Sequence, residues 1–353
     1  MKAFEKNIRR VEPYVPGEQP REKVIKLNTN ENPYPPAPGV RTALERLEAG
    51  ADAMRLYPDP TSRELTEALA EFYHVGTDQV FVGVGSDDVL SMCFLTFFNS
   101  DKPVFFPDIT YSFYKVWAGL YRIPYECKPL DENFHIVKED YYGENGGVIF
   151  PNPNAPTSLY ESLDVVEDIL RHNQDVIVII DEAYIDFAGP SALSLLEKYE
   201  NLIVTRTFSK SRSMAGMRIG YAIASPLLIR YLNDAKYSFN SYTMNQAALA
   251  CGVEAVKDKA YFEEQVQKIK ETRAWACEEF RKLGFTFPEP SGNFLFVTHP
   301  DYSAGRLFEE LKKRGVYVRH WDSSRISPYL RVTVGTREEM EKLFEVIRIV
   351  LEL

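Results

Sequence analysis

The chain has 353 residues, 45% of them hydrophobic and 26% charged, with a formal net charge of −10. That length gives ample apolar material for a core and fits one large and one small domain, while the acidic balance disfavours nucleic acid and anionic membranes, whose partners present positive surfaces. No apolar run approaches the ~18 residues of a membrane span, and MKAFEKNIRR opens without an apolar signal core, so a cytoplasmic setting is expected.

In chain order, the first stretch, residues 1–25, is polar and proline-bearing and reads as an arm. KLNTNENPYPPAPGV, residues 26–40, holds too much Pro and Asn for a helix and is predicted to lie irregularly across a surface. Residues 42–49 are expected to form a short helix. Pro60, Thr61 and Ser62 then open an amphipathic helix in which Leu65, Leu69 and Phe72 recur at helical spacing. Beyond it, apolar strands are expected at 79–83, 103–106, 148–151, 176–180 and 202–205, with helices at 87–98, 111–119 and 163–172. Strands that are apolar throughout and alternate with helices indicate a mostly parallel sheet covered on both faces. From about Lys257 the texture changes to a long charged helix, 260–283, and the strands NFLFVTH, VYVRHW and YLRVTVG, interleaved with helices at 304–314 and 337–353. The expected class is α/β: a large domain over 31–250, a smaller α+β domain over 251–353, and an arm, 1–30, joining the small domain or a dimer partner.

Three polar positions fall at the ends of apolar strands. Asp181 closes the strand in VIVIIDEAYIDF, Tyr184 follows three residues later, and Lys210 comes after the next strand, in TRTFSKSRSMAGMRIGY. The carboxyl edge of an open parallel sheet is where such folds bind ligands. An acid, a phenol and an amine gathered there match pyridoxal phosphate chemistry: the amine condenses with an aldehyde, the acid keeps a pyridine nitrogen protonated, and the phenol bonds the ring oxygen. A phosphate cradle is on offer in FVGVGSDDVL, where a glycine turn enters a helix and the Ser86 and Asp87 amides face outward. Ser209 and Arg218 flank the lysine and add a hydroxyl and a fork of donors. Taken singly, a GVGS turn is only a turn, an aspartate after a strand is a cap, and a lysine between serines is solvated; their order on alternating strands is what makes them a site. The turn lacks the GxGxxG fingerprint of a dinucleotide site. The four cysteines and five histidines show no zinc-ligand spacing and no HxxxH or HxH pattern, so no metal is expected.

These residues resemble the fold-type-I pyridoxal phosphate aminotransferases, and among them the histidinol-phosphate branch. LNTNENPYPP (27–36), LYPDP (56–60), GSDD (85–88), PNPNAPT (151–157), DEAYIDF (181–187), FSKSRSMAGMRIGY (208–221), SGNF (291–294) and YLRVTVGTREE (329–339) carry the likeness over nearly the whole chain. The resemblance implies that Lys210 is the Schiff-base lysine, Asp181 pairs with the pyridine nitrogen and Tyr184 bonds the ring oxygen. It implies that Ser86, Asp87, Ser209 and Arg218 hold the phosphate, that Tyr111 stacks on the ring, and that Asn154 contacts the ring oxygen. Tyr57 would reach the cofactor of a neighbouring subunit, which implies a homodimer. Arg331 would grip the substrate carboxylate and Arg319 a distal phosphate, with Asn30 and Tyr34 of the irregular segment beside the substrate. The implied reaction passes an amino group from a small-molecule donor to a 2-oxo acid; aromatic amino-acid transamination or threonine-phosphate decarboxylation could use the same scaffold. Two departures stand out: Ala155 directly before the proline in NPNAPTS, and Val84 in place of an amide in GVGSDD.

Overall fold

The computed structural model describes residues 2–352. The arm has one short 3₁₀ turn, Ala3–Asn7, and runs otherwise without regular structure to β1, Ile25–Lys26. Helix α1, Pro38–Ala49, begins four residues earlier than its apolar pattern suggests, because Pro38 sits at its first turn, where no amide is needed. Helix α2, Arg63–Tyr73, follows the Pro60–Ser62 opening and is capped from before it: Asp59 Oδ2 accepts from the Arg63 amide at 2.8 Å, while Ser62 adopts a left-handed φ of 51°.

The next elements alternate: β2 Val80–Gly83, α3 Ser86–Phe97, β3 Val104–Pro107, α4 Phe113–Tyr121, β4 Tyr125–Lys128, β5 Gly147–Pro151, α5 Leu163–His172, β6 Val178–Asp181, β7 Leu202–Thr207 and β8 Gly220–Ala224. They form one seven-stranded sheet in the order β2-β8-β7-β6-β5-β3-β4. All its pairings are parallel except those of β8, which runs antiparallel to both neighbours. The inner strands β3, β5, β6 and the first half of β7 are apolar because both faces are covered. Ile149, Ile179 and Ile203 pack with α3, α4 and α6 (Pro226–Phe239) on one face. Val148, Phe150, Val178, Ile180, Leu202 and Val204 pack with α5 on the other. At the β2–β8 end, α1, α2 and α7 (Gln246–Lys257) cover that second face; α7 thus spans position 250 and packs on the large sheet.

The remaining elements are α8 Lys259–Lys282, β9 Phe294–Val297, α9 Ala304–Lys313, β10 Val316–Tyr317, β11 Arg319–His320, β12 Leu330–Thr333 and α10 Arg337–Leu351. Strands β11, β12 and β9 make an antiparallel three-stranded sheet. VYVRHW, expected as one strand, is split: β10 pairs with β1, and β11 with β12. The arm is therefore fastened to the small sheet's layer through Ile25 and Lys26. Apolar faces of α8, α9 and α10 close a core with β9 and β12, and Leu27, Tyr184 and Phe187 reach into it. Among the described residues, no helix is long and apolar enough to cross a membrane.

Candidate active site

Strands β6 and β7 are parallel neighbours, with Asp181 in register with Thr205 at their carboxyl ends. Strand alternation turns Asp181 to the face covered by α3 and α4. There it accepts from the Tyr114 hydroxyl at 3.0 Å, from the Ala183 amide at 3.3 Å and from Thr205 Oγ1 at 3.4 Å. Asp181 is only 4% exposed. Burial pushes its carboxyl up to about 6, with the charge of Asp87 acting in the same direction and the Tyr114 bond against it. A carboxylate so placed gains from a cationic partner.

Beyond β7 the chain leaves regular structure, and Lys210 lies on that connection. Its Nζ donates to the Thr29 carbonyl at 3.1 Å and sits 5.6 Å from the centre of the Tyr184 ring. The Tyr184 hydroxyl accepts from Asn30 Nδ2 at 3.0 Å, and its own proton goes to no acceptor among the described residues. Asn30 is fully buried with a left-handed φ of 55° and is fixed by Thr333 and Asn293, so it holds the phenol in place.

The glycine turn and the start of α3 form the second cluster. The first-turn amides of Ser86 and Asp87 have no intrahelical acceptors. Arg218 lies across them: it donates to Asp87 Oδ2 at 3.2 Å and to Ser209 Oγ at 3.4 Å. A Cβ on Gly85, whose φ is 86°, would strike the Arg218 guanidinium, and one on Gly220 would strike the Gly85 and Ser86 backbone. Tyr111 ties this cluster to the cavity, its hydroxyl donating to Asp87 Oδ1 at 2.6 Å.

A cavity of about 760 Å³ opens in front, walled by Lys210, Tyr184, Asn30 and Tyr111 on one side and by Arg319, Arg331 and Trp321 on the other. Arg319 and Arg331 are direct register partners on β11 and β12, and their guanidiniums stand 5.4 and 5.2 Å from the Trp321 ring. Arg331 Nη2 donates to the Asn28 carbonyl at 2.8 Å, its Nε is buried without a partner, and burial holds its pKa below the usual guanidinium range. Arg319 donates to the Val15 and Pro16 carbonyls of the arm. The arm crosses the mouth of the cavity, and Tyr14 stacks on Phe113 at 4.3 Å.

Some expected residues are not gathered here. Tyr34 is off the cavity wall: its amide donates to Asn32 Oδ1 and its ring packs beside α8, under Lys268, so within this chain the expected substrate contact is not made. Tyr57 is 79% exposed and stacks on Tyr242 at 4.5 Å, away from its own chain's cavity. Asn154 is buried, but its Nδ2 is spent on the Ile109 carbonyl and Thr157 Oγ1, and the unpaired Oδ1 is an acceptor. Sequence reasoning passed over Tyr14, Tyr114, Thr205 and Trp321. Only Tyr114 carries a signal, one helical turn after Tyr111 in TYSFY.

Pyridoxal phosphate fits this donor set. The helix start, Ser209 and Arg218 suit a dianion, the buried Asp181 suits a protonated ring nitrogen, and Tyr184 has a proton to give a ring oxygen. Among the described residues no group of three or more His, Cys, Asp or Glu could hold a metal.

Comparison with known proteins agrees. The family model "aminotransferase class I and II" matches residues 22–347. The histidinol-phosphate aminotransferase of Lactococcus lactis subsp. cremoris is 48% identical over 347 residues, 98% of this chain and 97% of that protein. That of Acinetobacter baylyi is 48% identical over 351 residues, 99% of this chain and 97% of its own. The crystal structure of the Sinorhizobium meliloti histidinol-phosphate aminotransferase in complex with pyridoxal-5'-phosphate superposes with a TM-score of 0.82 at 23% identity, over 92% of this chain and 91% of that one. The fold is thus the fold-type-I α/β architecture.

Proposed function

The chain belongs to the class I and II aminotransferase family, and on that premise we propose that it moves the amino group of histidinol phosphate to 2-oxoglutarate, giving imidazole acetol phosphate and glutamate, with pyridoxal 5'-phosphate as cofactor. The observation that carries this reading is Lys210 on the wall of a cavity that also bears two guanidiniums, with the buried Asp181 at the carboxyl end of β6 and in register with Thr205 of β7, the strand that leads to Lys210. The near-full-length identity to the Lactococcus and Acinetobacter enzymes supports the choice of substrate.

Pyridoxal phosphate supplies an aldehyde that condenses with amines and a ring that accepts the electron pair left by a departing α-proton. This chain's residues supply the rest. Asp181 holds the proton on the ring nitrogen, its bonds from Tyr114 and Thr205 keeping the carboxylate aimed. Tyr184, positioned by Asn30, donates to the ring oxygen; it is the better donor there, since the Asn154 amide is already used. The Ser86 and Asp87 amides, Ser209 and Arg218 bind the phosphate, Arg218 exchanging its bond to Asp87 for the stronger charge. Lys210 Nζ, on the cavity wall and hydrogen-bonded among the described residues to the Thr29 carbonyl, takes the substrate α-proton and returns it. Arg331, on the cavity wall, binds the glutamate carboxylate through its guanidinium. Histidinol phosphate has no carboxylate, so its phosphate lies against Arg319, with Arg331 alongside. Tyr14 and the crossing arm keep water out of the cavity mouth.

In this reading the protein is a cytoplasmic homodimer, and the exposed Tyr57 reaches the partner's cofactor phosphate. The exposure of Met54, Leu56 and Tyr57 on one segment supports that assembly. A substrate panel is the test. Turnover of histidinol phosphate with 2-oxoglutarate, followed by glutamate release, is expected to exceed that of phenylalanine by about a hundredfold or more in kcat/KM. A preference for phenylalanine, or carbon dioxide release from threonine phosphate, would replace the substrate and leave the scaffold chemistry standing.

A further inference from the structure

Asp181 ends β6, whereas Lys210 lies on the connection after β7, where the chain has no ladder of its own to fix it. What holds the two together lies on the opposite face of the sheet. Glu182 directly follows Asp181, and Arg206 directly follows Thr205, so strand alternation turns both away from the cavity. Arg206 Nε donates to Glu182 Oε2 at 3.1 Å, and its Nη2 lies 2.8 Å from the same carboxylate oxygen as an ion pair. Through Nη1 it reaches Asp186 Oδ1 at 3.1 Å. Asp186 Oδ2 in turn accepts from Ser211 Oγ at 2.5 Å. Ser211 is the residue after Lys210.

Four side chains therefore form one run, from the neighbour of the acid to the neighbour of the amine. Glu182, Arg206 and Ser211 are all under 10% exposed. The far end is anchored as well, since Glu182 accepts from Ser191 Oγ at 2.6 Å and the Ala192 amide at 2.7 Å. From the other side of the loop, Asn32 Nδ2 donates to the Lys210 and Ser211 carbonyls at 3.0 and 3.2 Å. A planar guanidinium forked between two carboxylates tolerates little change in spacing. None of the four lines the cavity.

We propose that Glu182, Arg206, Asp186 and Ser211 are positioning residues that brace Lys210 at a fixed distance from Asp181. The proposal rests on the reading above, in which Lys210 is the reactive amine. Its content is kinetic: a misplacement of about 1 Å in a reacting group costs about a hundredfold in rate, whereas an equally buried network serving stability alone would leave the rate untouched.

Ser211→Ala is the cleanest probe, because it removes the last link and leaves the Arg206 ion pairs intact. It is expected to lower kcat about tenfold with KM changed less than about twofold. In the cofactor-free chain it should slow, by a similar factor, the capture of pyridoxal phosphate at Lys210, trapped by borohydride and read by peptide mass. Ser211→Thr keeps the hydroxyl and should stay within about twofold of wild type. Asp186→Asn should behave like Ser211→Ala, and the double variant no worse than either single one, as for residues on one path. Unchanged kcat and capture rate in Ser211→Ala, or a Ser211→Thr variant as slow as Ser211→Ala, overturns the brace while leaving Lys210 as the labelled residue. Wild-type capture at some other residue removes the reading beneath it, and the brace with it.

Discussion

The two ends of the cavity are built on different principles. At the lysine end, Asp181 closes β6 in the middle of a seven-stranded sheet, Tyr184 and Lys210 follow on the connections after β6 and β7, and buried side chains bond the first two: Asp181 by Tyr114 and Thr205, Tyr184 by Asn30. At the arginine end, Arg319 and Arg331 sit on two- and four-residue strands of the smaller sheet. They are held by carbonyls of irregular chain, at Val15, Pro16 and Asn28. The first end is over-determined and suited to chemistry that does not vary. The second can shift with the arm, and suits the part of the reaction that must accept both a carboxylate and a phosphate. Changes at the lysine end should therefore appear in kcat, and changes at the arginine end in KM and substrate choice.

The sharpest way to break that contrast is Lys210→Ala, which should cut kcat by about a thousandfold or more in single-turnover assays while KM moves little. Asp181→Asn is expected to cost about a hundredfold in kcat and yet to stabilise the cofactor-free chain. The Asp181 carboxyl is raised from 3.8 to about 6. Its contribution to stability is therefore complete below pH ~4 and lost as the pH rises through ~6, above which the buried charge costs about 3 kcal/mol. Thermal unfolding without cofactor should show Asp181→Asn level with wild type at pH 4 and more stable at pH 8. At the arginine end, Arg331→Lys should raise KM for glutamate about tenfold to a hundredfold and lower kcat less than threefold, because a point charge replaces a fork. The smallest effect is at Tyr57: Tyr57→Phe should weaken cofactor affinity about threefold to tenfold, as loss of one ordinary solvent-exposed hydrogen bond does, measured as half-saturation by pyridoxal phosphate. An Arg331 variant that lost only kcat would dissolve the distinction between the two ends.

Asp181 and Lys210 were legible because each interrupts or follows an apolar strand, where a charged residue has no packing reason to be. The glycine turn and helix start in FVGVGSDDVL were legible as a turn; only the lysine stretch beside them, with Ser209 and Arg218, gave that turn a further meaning. The antiparallel β8 was not, since Gly220–Ala224 follows the lysine connection with no helix between to mark a new strand. Strand β4, YECK, was hidden by its charges, which are tolerated at the sheet's edge. Tyr114 is one aromatic among several on α4, and only the sheet opposite makes it the partner of Asp181. Tyr14 depends on a contact far away in sequence, with the α4 start, and Trp321 on its place beside Arg331 of the neighbouring strand, and no local pattern announces either. The place of Tyr34 was not legible either, since its ring packs against the small domain's core and under Lys268, far along the chain.

The visible spectrum of the purified protein, taken beside that of Lys210→Ala, bears most directly on the covalent role of Lys210. Wild type should absorb in the visible and bleach with hydroxylamine, and Lys210→Ala, loaded with cofactor but given no amine, should lack that band. A Lys210→Ala protein that keeps it would contradict the account.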